Sequence, residues 1–193
     1  GGPSPTKEEF VDGSFLHHEL QQKILEALDV TYTDESGLYE LVEAAQERLL
    51  DLELTQEKLI MRRFMKELVS DKGLASYGEK EVRQNLIMGA VDTLLLSEDL
   101  RKTRATISCT NASCGRSEEV TRSPNSPPPE NCPKCGSQLE ITNEVDIIAD
   151  LSRMAEESGS DVKIISTDFE EGAQLYRAFG GIAAILRFRT SSV

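Results

Sequence analysis

Four cysteines, Cys109, Cys114, Cys132 and Cys135, constrain this chain more than any other feature of it. Four residues separate the first pair, two the second, and seventeen lie between the pairs. Each close pair fits one tight knuckle, and the longer gap lets two knuckles face each other across a single ion. A glycine follows the second cysteine of each pair, Gly115 and Gly136. Glycine adopts the left-handed backbone of a knuckle without a Cβ penalty, and its N–H can then point back at the thiolate. Four thiolates leave no open coordination position, so the expected occupant is one structural zinc ion. Buried free thiols, a labile disulfide pair and an iron–sulfur cluster are the competing readings. Two neighbouring knuckle-like pairs argue against free thiols, and the cysteine–glycine pattern suits a cluster less well.

The segment between the pairs supports the metal. Residues 116–131 include Pro124, Pro127, Pro128 and Pro129, and Val120 is the one large apolar residue among them. Such a segment is expected to bury too little surface to order itself. Structural zinc supplies roughly 10–16 kcal/mol of apparent binding free energy in small modules, and so is expected to act as the core of a projection.

Around this projection the pattern alternates. A strand is expected near Leu74–Tyr77, a helix over Glu79–Met88 and a buried strand over Val91–Leu96. Thr106–Ser108 is extended into the first cysteine. A helix (Val145–Glu157), a strand (Val162–Ile165), a helix (Phe169–Phe179) and a strand (Ile182–Phe188) follow, with Asp168 and Glu171 placed as a capping box. Strands alternating with helices of this length mean an α/β layer structure with a mainly parallel or mixed sheet and flanking helices.

The first part of the chain differs. Leu16, Leu20, Ile24 and Leu28 recur every fourth residue, which predicts an amphipathic helix over residues 14–28 with Asp12 or Ser14 as cap. Val30–Tyr32 is extended, and residues 33–37 offer turn chemistry and an N-cap. From Leu38 to about Ser70 no glycine or proline interrupts a helical apolar pattern, long enough for roughly 50 Å at 1.5 Å per residue. Such a helix either links two domains or breaks near Leu54–Thr55. Residues 1–52 supply helices and one short extended piece, too little for a two-sided core. They read as the end of a domain, with residues 1–6 as a tag or linker; residues 53–193 form the second domain, with the zinc minidomain at about 105–141.

Charge bounds the partners. Of a formal −13, residues 1–55 carry −10, with thirteen acids against Lys7, Lys23 and Arg48. An acidic surface repels phosphate backbones, so autonomous nucleic-acid binding is not expected. No apolar run is long enough to span a bilayer and no signal sequence opens the chain, which predicts a cytoplasmic protein with no membrane partner. Reducing conditions there disfavour disulfides. His17-His18-Glu19 lacks a histidine at metalloprotease spacing, and Gly180-Gly181 lacks the lysine and hydroxyl of a phosphate loop. With four cysteines committed and two adjacent histidines, no catalytic residues and no cofactor-binding residues are expected, and the chain reads as no enzyme.

The segments Gly13-Ser14-Phe15-Leu16-His17-His18-Glu19-Leu20, Val30-Thr31-Tyr32-Thr33 and Gly37-Leu38-Tyr39-Glu40-Leu41 resemble the middle domain of archaeal and eukaryotic class-1 peptide chain release factors. Residues 56–64 resemble that family's interdomain region, and Gly89–Leu95 with the closing Phe179–Phe188 resemble its C-terminal domain. The cysteines point to the archaeal branch. In the family an N-terminal domain reads stop codons, and a Gly-Gly-Gln motif triggers peptidyl-tRNA hydrolysis on the ribosome. This sequence contains no Gly-Gly-Gln and is expected to hold the end of the middle domain and the C-terminal domain. The resemblance implies recruitment of a translational GTPase of the elongation factor 1-alpha type and of the ribosome-recycling ATPase. Alternatives are a pelota-like ribosome-rescue fragment and a zinc-ribbon nucleic-acid-binding module; the ribbon's Arg116, Arg122 and Lys134 are balanced by Glu118, Glu119 and Glu130.

Overall fold

A computed structural model describes residues 1–13, 15–70, 73–127 and 131–190. Ser14, Pro128, Pro129 and Glu130 lie outside the described residues. The chain divides into two compact units, Gly1–Gln56 and Glu57–Val193. Among the described residues no helix is long and apolar enough to cross a membrane.

The first unit holds α1 (Thr6–Asp12), α2 (His18–Gln21) and the start of α3 (Glu35–Leu68). The expected helix over residues 14–28 shrinks to the four residues of α2. Helical stability in proteins comes mostly from packing an amphipathic face. Here Leu20 and Leu25 stand exposed, and no large apolar side chain described in residues 1–56 is buried. At the start of the chain Gly2 bridges to Asp29 and donates its N–H to Leu28 O at 3.3 Å, and Lys7 Nζ donates to Asp29 Oδ1 at 2.7 Å. Val30–Tyr32 forms no strand, but Thr31 donates its N–H and hydroxyl to the Glu40 carboxylate. Asp34 starts α3 by accepting from the N–H groups of Ser36 and Gly37. The helix then runs unbroken through Leu54 and Thr55.

The second unit is built on a four-stranded mixed sheet. Its strands are β1 (Ala75–Tyr77), β2 (Val91–Ser97), β6 (Asp161–Ile165) and β7 (Ile182–Leu186), in spatial order β1-β7-β2-β6. β7 is antiparallel to β1 and β2, while β2 and β6 are parallel. Both faces of the sheet are covered, which explains why β2 and β7 read as continuous apolar runs. Helices α4 (Glu79–Ile87) and α5 (Ile147–Glu157) cover one face, burying Val82, Leu86, Ile147 and Leu151 against Leu94, Leu96 and Ala184. On the other face Met61 and Phe64 of α3 and Leu175 of α6 (Glu170–Phe179) pack on Leu95, Ala183 and Ile185.

A second sheet, order β4-β3-β5, comprises β3 (Thr103–Cys109), β4 (Ser117–Arg122) and β5 (Leu139–Asp146), all antiparallel. Three expectations give way to the structure here. Ser117–Arg122 orders itself as a strand, paired with β3 from Thr103↔Arg122 to Ser108↔Ser117. Backbone pairing, and the burial of Ala105 and Ile107, hold what apolar content alone would not. Val145 belongs to β5, and Asp146 caps α5 by accepting from the N–H groups of Ile148 and Ala149. The Asp168 capping box does not form, because Phe169 is the N-cap of α6 and lends it no side-chain bond. Asp168 lies one residue too early, in a turn where Glu98 accepts from the hydroxyl of Ser166 and the N–H of Thr167.

Candidate metal centre

The tip of the second sheet gathers Cys109, Cys114, Cys132 and Cys135. Cys109 ends β3, Cys114 follows a turn in which Cys114 N donates to Asn111 O, and Cys132 and Cys135 sit on the turn before β5. All four sulfurs lie within 4.8 Å of one another. Cys109 Sγ is 3.5 Å from Cys135 Sγ, and Cys114 Sγ is 3.8 Å from Cys132 Sγ. A disulfide requires about 2.05 Å, and all four are free thiols. A tetrahedron with Zn–S near 2.3 Å has edges of about 3.8 Å, so the donor set fits one zinc ion in size as well as in chemistry.

The backbone completes the knuckles. Each sulfur accepts an N–H from two residues further on: Asn111 to Cys109, Arg116 to Cys114, Lys134 to Cys132 and Ser137 to Cys135. The expected glycine N–H is therefore not the donor; that of Gly136 goes instead to Cys132 O. Gly115 and Gly136 take φ of 62° and 74°, which turns the following peptide toward the thiolate. The donors Asn111, Arg116, Lys134 and Ser137 were legible only as a two-residue offset from each cysteine.

Without metal, the four thiols differ sharply. Ser137 aims both its hydroxyl and its N–H at Cys135 and holds it down at about 6. The N–H of Asn111 favours the Cys109 thiolate, but burial and the sulfurs of Cys135, Cys132 and Cys114 outweigh it, pushing it up to about 12. Burial raises Cys114. Burial opposes the Cys132 thiolate too, yet the N–H groups of Lys134 and Cys135 prevail and lower it. A dication among four such sulfurs favours the thiolate at every one.

An ionic joint carries this sheet. Glu79 Oε1 on α4 accepts from Thr121 Oγ1 at 2.6 Å, Arg83 at 3.2 Å and Arg104 at 3.3 Å. Arg83 also pairs with Asp150 of α5 at 2.8 Å. His17 and His18 are exposed, and the cysteine cluster is the metal-capable group found among the described residues.

A mixed sheet with helices on both faces and a cysteine-tipped antiparallel appendage defines a two-sheet α/β domain. The family model described as eRF1 domain 3 matches residues 54–190, and that described as eRF1 domain 2 matches residues 1–51. The chain belongs to the eRF1 family of peptide chain release factors, as its sequence motifs led us to expect. Peptide chain release factor subunit 1 of Methanococcoides burtonii is 58% identical over 194 residues, covering 98% of this chain and 46% of that protein. Subunit 1-1 of Methanosarcina acetivorans is 57% identical with the same coverage. The chain thus spans about half the length of these archaeal relatives. The solved C-terminal domain of Peptide Chain Release Factor from Methanosarcina mazei is 54% identical, with a TM-score of 0.73 over 83% of this chain and 99% of that one. Archaeoglobus fulgidus Pelota shares the fold at a TM-score of 0.51 and 23% identity, over 99% of this chain and 48% of its own.

Proposed function

We propose that this chain is the partner-binding part of an archaeal-type release factor, acting in translation termination in the cytoplasm. The observation that carries the reading is the match of residues 54–190 to eRF1 domain 3, joined to more than half identity with archaeal release factors over nearly the whole chain. By this reading residues 57–190 recruit a translational GTPase of the elongation factor 1-alpha type and the ribosome-recycling ATPase to the ribosome. The 193 residues contain no Gly-Gly-Gln, and the role proposed for them is binding, not catalysis.

Cys109, Cys114, Cys132 and Cys135 hold one structural zinc ion in this proposal. Zinc would lock the two knuckles together at the tip of the second sheet, with the four N–H donors stabilising the thiolates. The nucleic-acid reading loses its cations: Arg116 pairs with Glu118 at 2.7 Å, Arg122 with Glu144 at 3.9 Å, and Lys134 donates to Cys114 O.

Calorimetry of the purified chain with each partner, the GTPase in its GTP-bound form, tests the recruitment. The reading predicts saturable binding to both. Binding to neither contradicts it, and tight salt-dependent binding to ribosomal RNA alone would favour the nucleic-acid module.

A further inference from the structure

The two knuckles of the cysteine tip are joined by backbone as well as by a donor set for metal. Cys109 pairs with Leu139 across β3 and β5. The N–H and the hydroxyl of Thr110 both donate to Gln138 O, at 3.1 and 3.0 Å. Asn131 bridges to the same Gln138, and Cys132 N donates to Ser137 O at 2.7 Å. These bonds run through the residues that flank Cys109 and Cys135, so they hold the two side chains together with or without a metal. Cys109 Sγ lies 3.5 Å from Cys135 Sγ, and an approach of about 1.5 Å would bring them to disulfide length.

The four cysteines differ in access to solvent. Cys135 is exposed, Cys109 and Cys114 are half-buried, and Cys132 is 2% exposed. Metal binding requires each sulfur as a thiolate, and the thiolate is the form that attacks an oxidant. An oxidant arriving from solvent therefore meets Cys135 first, and Cys109 stands across the gap as its resolving partner.

We propose that the tip is a peroxide-operated redox switch, in which Cys135 and Cys109 form a disulfide and the metal is released. The Cys135 thiolate attacks one oxygen of hydrogen peroxide. The O–O bond breaks, and the departing hydroxide takes a proton from solvent to become water. The Cys109 thiolate then attacks the sulfenic sulfur of Cys135. The S–S bond forms, the S–O bond breaks, and the second hydroxide is protonated in turn. Two thiolates have lost two electrons and the peroxide has gained them. With two of four ligands gone the closed tetrahedral site is lost, and a thiol reductant reverses the bridge by exchange. In a reducing compartment such a bridge is transient, as redox-sensing disulfides are. The release step rests on the zinc reading above, whereas the bridge rests on the backbone frame alone.

The test treats the full chain with increasing hydrogen peroxide, after native mass spectrometry has read its zinc content. Released zinc is followed with a colorimetric chelator, free thiols are counted, and disulfides are mapped by peptide mass spectrometry after alkylation. The proposal predicts zinc release in step with the loss of two of the four thiols, and a bridge between Cys109 and Cys135. Dithiothreitol followed by zinc should restore the starting state. A chain stripped of metal by a chelator should form the same bridge. Zinc retained while thiols are lost overturns the switch. So does a bridge within one knuckle, between Cys132 and Cys135 or between Cys109 and Cys114, and so does sulfinic acid at Cys135 with no bridge. An untreated chain without zinc contradicts the metal reading instead, and the mapping then decides the bridge by itself.

Discussion

Thr121 on β4 donates its hydroxyl to Glu79 on α4 at 2.6 Å, linking the cysteine-bearing sheet to the helices of the α/β body. The same carboxylate oxygen accepts from Arg83 and Arg104. Removing it leaves two partly buried guanidiniums and a hydroxyl short of an acceptor. Glu79→Ala is expected to cost about 1–3 kcal/mol. Urea unfolding measures the cost, and amide exchange should quicken first in β3 and β4.

Phe64 is fully buried and meets the Phe179 ring edge-on, with centroids 5.4 Å apart. It anchors α3 to the sheet face that α6 also covers. Phe64→Ala should lose about 3–5 kcal/mol of stability, read as a lower urea midpoint with an unchanged slope.

Gly136 has φ of 74° and open space where a Cβ would stand. Gly136→Ala therefore strains the backbone without a clash, at about 1–2 kcal/mol. The strain falls on the turn that aims Ser137 at Cys135. A chelator competition should show zinc held roughly tenfold more weakly, with the amide spectrum of β2 and β7 unmoved.

Glu98 is held below the ordinary carboxylate range by the N–H of Thr167 and then by the hydroxyl of Ser166. A depressed folded-state pKa gives stability that is present above the unfolded value, near about 4.3. That stability is lost as pH falls through the folded pKa. Glu98→Gln should thus destabilise the protein at pH 7 and matter progressively less below about pH 4. Unfolding curves of both proteins at the two pH values decide it, and an equal loss at each contradicts the assignment.

Strong local signals in the sequence predicted their elements. The turn chemistry at Asp34 and each cysteine–glycine pair describe contacts made within a few residues, and the apolar run of β2 marks a strand buried on both faces whichever elements cover it. The failures involve distant partners. Leu16, Leu20, Ile24 and Leu28 have helical spacing, but the described residues of the first unit offer no core for that face. Ser117–Arg122 looks unfit for structure until β3 pairs with it. Glu79 carries no sequence mark at all, because its role exists only where α4 meets β3 and β4. The four cysteines were legible as a cluster, whereas their N–H donors depend on the backbone path after each cysteine, through Gly115 and Gly136 for Arg116 and Ser137.

The most direct test of the metal centre is native mass spectrometry of the chain purified without added metal, beside Cys132→Ser. The account predicts one zinc ion per chain in the parent and none in the variant. The variant should lose the amide signals of the cysteine tip while those of β2, β6 and β7 remain. A parent without zinc, visible absorption from an iron–sulfur cluster, or cooperative unfolding of the whole second unit in Cys132→Ser would contradict it.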